Sequence, residues 1–551
     1  MLRTVGAVDD RALLREREQN TRGHRPRLQL AALIALIVQI PFEFRYTFAG
    51  LSNLQWTFLA VVLLWSPELL RRWNQLARDR LLQAAALFVA IQWLAALYAP
   101  EFHANAFKAA ARFTAGLVLV CIARQLDIPR SISLANTWAI ASVAAAVYAL
   151  AAHASAGMFS PFRTDEFYIG QMRRLSGSFE YPNIAAAYFA MSLPIVWWSS
   201  FRRALRAGFA FLLWCAVVLT FSKGALLAIP IALIAAKSRA AISLLAIGVA
   251  AYAALLPLSP YLIERLYGPK MSYPIAIDYR TAWNRFQQRP DTSDAIPLEI
   301  RNVGTRTMRS GGWWPVRVGY RWFDLHTENF ITSASEVTTL PHDIRPDETS
   351  AVQAAFRTPT KPGEYLLVLE LFDGSFNWFS RAGVVPALIK ADVQPNVTRS
   401  VDQIDLAAEY NRGRNPGLLT AAVPRRSLWT AALQIFRDHP FGAGPDNFRL
   451  EYGKYLDAAR WDTKIYSNNI YLELLTGSGI LGLAAFVFML ARRQWTADAP
   501  SIAAGIFLIH GFVDAFLMTT PIYFAFWIVM GNTKTQRHKG TERTFQVRPA
   551  N

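Results

Sequence analysis

Four stretches of the chain combine polar and charged side chains with the borders of apolar runs or with the loop between them. They are Arg173-Arg-Leu-Ser-Gly-Ser-Phe-Glu-Tyr-Pro-Asn183, Thr220-Phe-Ser-Lys-Gly224, Arg425-Arg-Ser-Leu-Trp429 running on to His439-Pro-Phe-Gly-Ala-Gly-Pro-Asp-Asn-Phe448, and Tyr466-Ser-Asn-Asn-Ile-Tyr-Leu-Glu473 followed by Gly477-Ser-Gly-Ile-Leu-Gly482. Arginine grips phosphate oxygens bidentately and stays charged at any working pH. Arg425, Arg426, Arg174 and Lys223 are therefore candidates to bind an anionic group. Each stretch also has an ordinary structural reading. The arginines suit solvated loops, Lys223 suits an interfacial snorkelling site, Asn468 and Asn469 suit a helix N-cap, and Gly177, Gly442 and Gly444 suit turns.

The elements that must position these residues are apolar. Of 551 residues, 53% are hydrophobic and 17% charged, well under the roughly 25% charged content of a soluble domain. The apolar residues fall in runs near 28–48, 51–70, 81–99, 106–123, 131–152, 183–200, 207–221, 224–236, 240–258, 468–490, 499–517 and 519–531. Most approach the roughly 20 residues that cross a bilayer. This predicts an all-α polytopic membrane protein of about twelve transmembrane helices.

The net charge of +18 follows the same pattern. With the N-terminus in the cytoplasm, the short inside loops hold Arg71, Arg72, Arg78 and Arg80; Arg124 and Arg130; Arg202, Arg203 and Arg206; Lys237 and Arg239; Arg492 and Arg493. The outside turns near 49–52 and 518–520 hold no basic residue, as positive-inside topology requires. The basic tails, 1–27 and 532–551, are expected inside. No cleavable signal is expected, because a long charged stretch precedes the first apolar run. Cys121 and Cys215 lie within apolar runs and imply neither a disulfide framework nor a metal cluster.

Residues 259–467 are then a large extracytoplasmic loop. Short β-rich stretches such as Val316–Trp322 and Tyr365–Leu371, separated by Gly, Pro and Asp, predict a small immunoglobulin-like β-sandwich at 285–395. Its aromatics Trp313, Trp314, Trp378 and Phe379 suit either a sugar platform or a core. Residues 396–467 read as a helical catalytic-loop segment, with Leu428–Phe436 amphipathic. Asp514, an acid in the eleventh run, is a functional suspect.

The order and spacing of the four stretches resemble the O-antigen ligase and O-antigen polymerase superfamily of membrane glycosyltransferases. The matching residues are Gly177-Ser-Phe-Glu-Tyr-Pro-Asn183, Ser222-Lys-Gly224, Arg425 to Trp429 with Pro440, Gly442 and Gly444, and Asn468-Asn-Ile-Tyr-Leu472. The resemblance implies a glycan donor carried on undecaprenyl pyrophosphate, a glycan or lipid acceptor, and inverting transfer without metal or cofactor. It implies catalytic roles for Arg425, Arg426, Asn468 and Asn469. It implies substrate binding by Lys223, Arg174, Asn183, Gly442, Gly444 and Tyr471. Two departures matter. Lys223 stands where the family has arginine, and Asn468 stands where ligases have a histidine. A neutral amide accepts no proton near pH 7, so Asp462, Glu473 and Tyr466 become alternative proton acceptors. The resemblance implies an inner-membrane location. A polysaccharide transporter and a non-catalytic envelope scaffold are the competing readings. Nucleic acid is not an expected partner.

Overall fold

The computed structural model describes residues 27–155, 161–162, 168–169, 172–258, 262, 275–312, 315–327, 329–331, 337–373, 377–382, 384–402, 425–456, 463 and 465–532. Asp462, Trp313, Trp314 and the tail arginines other than Arg27 fall outside this set.

Thirteen longer helices are present among the described residues. They are α1 (Arg27–Gln39), α2 (Asn53–Arg71), α3 (Arg80–Leu97), α4 (His103–Arg124), α5 (Ile128–Ala154), α6 (Pro182–Trp197), α7 (Arg203–Leu219), α8 (Lys223–Ala235), α9 (Arg239–Leu255), α10 (Arg425–Asp438), α11 (Ile470–Arg492), α12 (Ala499–His510) and α13 (Thr520–Gly531). Their starts are written in the sequence. Ser52, Asp79, Asp127, Ser222, Ser238, Asn469 and Asp498 each accept a hydrogen bond from a first-turn backbone N–H.

Four helices, α3, α4, α5 and α11, are long and apolar enough to cross a membrane. The expected spans at 499–517 and 519–531 differ in detail. Helix α12 stops at His510, α13 begins at Thr520, and the residues between them form an irregular turn. Each of these two helices has 12 residues, about 18 Å of rise. Runs 207–221 and 224–236 form two separate helices, divided at Thr220–Ser222, where Phe221 has φ 54°.

Helices α6 and α13 are buried along nearly their whole length and form the centre of the bundle. A helix apolar on every side belongs there. In lipid, the contacts that hold such helices together come from close packing rather than from escape from water. Phe88, Phe113, Tyr523 and Trp527 interlock across α3, α4 and α13.

The β-rich region runs from Ile277 to Asp402. Strands β1 (Ile277–Arg280), β3 (Ser293–Asn302) and β7 (Thr349–Arg357) form one antiparallel sheet in the order β1-β3-β7. The other sheet has the order β11-β2-β10-β8-β4-β5. It consists of β11 (Ser400–Asp402), β2 (Arg285–Gln288), β10 (Ala387–Val393), β8 (Gly363–Asp373), β4 (Val316–Asp324) and β5 (Asn329–Ile331). Two short strands, β6 (Thr338–Thr339) and β9 (Asn377–Trp378), pair with β4 and β8. Strand β10 pairs β2 in parallel. Alternating burial along β3 and β7 turns one face inward. Both sheets share one core, which holds Phe286, Leu298, Ile300, Trp322, Phe356 and Tyr365. Trp378 and Phe379 are buried, so they are core residues and not an exposed sugar platform.

Helix α10 precedes a turn that plugs a membrane helix. Inside α11 the backbone leaves helical geometry at Ser478 and at Gly479, whose φ is 64°. The carbonyls freed there are taken by the incoming turn. Ala443 N–H donates to Thr476 O (2.8 Å), and Gly444 N–H donates to Gly477 O (3.0 Å). Ile480 N–H donates back to Pro440 O (3.1 Å). Such a break is tolerated at membrane depth only when protein satisfies it.

Beyond the turn, Glu451 is buried beside the Lys454–Glu101 ion pair (2.6 Å). Burial pushes its carboxyl up to about 7; Lys454 opposes this shift and Glu101 adds to it. The folded protein therefore holds a proton that the unfolded chain releases near its ordinary value of 4.5. Stability is fully present below that value and falls as pH rises toward about 7. The thermal midpoint in nanodiscs is expected to drop between pH 5 and pH 8. Glu451→Gln should flatten that drop, and an unchanged slope would contradict it.

Candidate functional site

The sequence-predicted residues gather at one end of the helix bundle. Arg174 lies just before α6. Its Nε donates to Thr220 O (2.7 Å), and its Nη2 donates to the Asn183 side-chain oxygen (2.6 Å). Leu175 N–H donates to Leu219 O (2.9 Å), which ties this segment to the end of α7. Asn183, in the first turn of α6, holds Arg174 and lies near the Asp514 carboxyl. Arg425, at the start of α10, is the leading cationic neighbour of both Asp514 and His510, and Arg174 is the other. Two guanidiniums thus act electrostatically on one half-buried carboxylate.

Ser222 sits at the turn between α7 and α8. Its Oγ lies 3.2 Å from His510 Nε2 and also caps α8. A Cβ on Gly224 would lie 2.6 Å from His510 Cδ2 and 2.8 Å from Nε2. The glycine of the Ser-Lys-Gly stretch is therefore the clearance for this imidazole. Lys223 is exposed at the same turn.

Other predicted residues take structural positions. Asn469 caps α11, accepting from Tyr471 N–H (2.9 Å) and Leu472 N–H (3.1 Å), while its amide donates to Phe512 O (3.1 Å). Asn469→Ala should lower stability by about 1 kcal/mol, read as a thermal shift; no shift would contradict this. Asn468 is half-buried with φ 55°, a left-handed position that asparagine tolerates. Tyr471 donates its hydroxyl to Leu508 O (2.9 Å) and packs on Phe512, joining α11 to α12. Gly442 and Gly444 form the plug in α11. Arg425 and Arg426 are both exposed, and Arg426 does not join Arg425 beside His510 and Asp514.

A second polar group adjoins the first. Arg449 binds Asp446 (2.9 Å) and Asn105 (2.7 Å). Glu473 accepts from Ser467 N–H (2.5 Å). Arg112 donates to Met518 O (2.6 Å) in the turn that carries Asp514. Burial raises the Tyr466 hydroxyl far above its ordinary range, and Asp446 adds to that effect. Sequence reasoning missed Arg112 and His510. Each is an ionisable residue inside an apolar run, and that placement was the available signal. Among the described residues, no group of His, Cys, Asp and Glu has the make-up of a metal site.

A membrane-embedded helical bundle with a two-arginine polar site at one end, and a β-rich segment between its ninth and tenth helices, defines the class. Residues 375–487 match the O-antigen ligase family model, and this match supports assignment of the chain to the O-antigen ligase superfamily. The matched stretch includes α10, the 440–444 turn and most of α11. No curated protein matches the chain. One solved structure, the ASH / PapD-like domain of human CEP192 (PapD-like domain 7), aligns at 12% identity over 24% of this chain and 93% of that chain. Its TM-score is 0.15, too low to bear on fold or function.

Proposed function

We propose that the protein is a membrane glycosyltransferase of O-antigen ligase or polymerase type. It moves an oligosaccharide or polysaccharide from undecaprenyl pyrophosphate to a glycan or lipid acceptor at the outer face of the bacterial inner membrane. The twelve apolar runs span that membrane with both tails in the cytoplasm, and residues 259–467 lie in the periplasm. The observation that carries this reading is the convergence of Arg174 and Arg425 on Asp514 at the end of the bundle that this topology places outside.

The chemistry follows from charge. As the bond from the sugar's anomeric carbon to the pyrophosphate breaks, negative charge grows on the leaving oxygens. Fixed guanidiniums in a partly desolvated site stabilise that charge with little reorganisation. Arg174 is held by Thr220 and Asn183, and Arg425 comes in from α10. Exposed Lys223 supplies a third cation at the rim, as a point charge without a bidentate fork. The acceptor attacks from the opposite face, which inverts the anomeric centre. The arginines supply the electrostatic stabilisation, and the reading assigns no metal.

The test uses the full chain in nanodiscs with an undecaprenyl pyrophosphate-linked glycan and cell-envelope acceptors. Release of free carrier with a mass gain on the acceptor is the expected result. No release across several donors, together with glycan uptake into proteoliposomes, would overturn it in favour of transport.

A further inference from the structure

Transfer of a glycan to a hydroxyl leaves one proton to be removed, and Asn468 cannot take it. We infer that His510 is the proton acceptor for the incoming hydroxyl and that Ser222 relays the proton to it; this rests on the glycosyltransferase reading above.

The first support is contact. Ser222 Oγ and His510 Nε2 lie 3.2 Å apart although the residues are 288 positions apart in the chain. The second is hydrogen-bond supply. Ser222 Oγ already accepts from Ala225 N–H, so its own proton is free to donate to Nε2. His510 Nδ1 is buried and has no partner, so no carbonyl or carboxylate holds the ring as a structural crosslink at both nitrogens. The third is the space kept for the ring. Gly224 admits it, and Phe516 packs against it edge-on with ring centroids 4.6 Å apart. The fourth is location. The groups acting on the imidazole are Ser222 at the α7–α8 turn, Gly224 in the first turn of α8, Arg174 from the segment before α6, Arg425 from α10, and Phe516 from the turn after α12. The proton acceptor therefore stands beside the cations that would hold the leaving pyrophosphate.

The step balances. The acceptor oxygen forms its bond to the anomeric carbon as that carbon's bond to pyrophosphate breaks, and the electron pair leaves on the phosphate oxygen. The acceptor's proton passes to Ser222 Oγ while Ser222's own proton passes to His510 Nε2. The products are a glycoside, undecaprenyl pyrophosphate and an imidazolium, which returns its proton to solvent or to the phosphate.

The experiment follows carrier release by wild type, His510→Gln and Ser222→Ala in nanodiscs. The glutamine amide keeps a hydrogen bond to Ser222 but takes no proton. Loss of a positioned proton acceptor is worth roughly 10²–10⁴-fold. His510→Gln should lose kcat on that scale and leave the donor KM unchanged. Ser222→Ala should lower kcat, again with the donor KM unchanged. Wild-type kcat in His510→Gln would overturn the inference and leave the transferase reading standing. Should His510→Gln fail to fold, unchanged kcat in Ser222→Ala would overturn it instead. An inactive wild type would overturn both.

Discussion

Arg425→Ala is expected to lower carrier release by about 10²–10³-fold, while Arg426→Ala, one residue on, should change it less than about threefold. The first figure is the usual cost of removing one preorganised charge-stabilising group. The contrast comes from helix geometry, since adjacent residues point about 100° apart around the axis. Arg425 is the leading cationic neighbour of His510 and Asp514, whereas Arg426 is not among the charges that act on either. Arg425→Lys should recover part of the loss, because it restores charge without the planar fork. Donor turnover by the three variants, at saturating and limiting donor, is the measurement. Equal losses at 425 and 426 would mean that the segment acts only through its net charge.

Gly442→Ala is expected to destabilise the protein by at least about 3 kcal/mol, from left-handed strain and steric clash together. The backbone at Gly442 has φ 105°, and an added Cβ would lie 2.5 Å from Gly477 O. That neighbour is backbone inside the α11 break and has no room to yield. Gly311→Ala is the control, with nothing within 4 Å of its Cβ. Thermal unfolding in nanodiscs should separate the two clearly; similar midpoints would show that the plug is dispensable.

Much of this architecture is legible in the chain. The capping residues Ser52, Asp79, Asp127, Ser222, Ser238 and Asp498 stand at helix starts that the apolar runs already suggest. Arg174 and Asn183 were identifiable beside the sixth apolar run, Arg425 in the loop ahead of the tenth, and Asp514 as an acid within the eleventh. Their partners were not. His510 is one residue in an apolar run, and only its packing against Gly224 and Ser222, nearly three hundred positions away, gives it a role. Arg112 likewise looks like an isolated charge until Met518 O is found against it. Helix lengths were also hidden. Apolar composition continues through 511–519, but the backbone there turns away from helix. Hydropathy records solvent preference and not backbone direction.

The seating of residues 440–444 in the gap of α11 also constrains the order in which the molecule is built. A helix with exposed carbonyls at its midpoint is a poor guest in lipid. The stretch that closes those groups lies upstream in the chain. During synthesis the turn is made before the helix that needs it, so it is on hand when α11 enters the bilayer. Helix α11 can reach its final form only once that earlier stretch has docked, which makes insertion of the last helices conditional on assembly of α10.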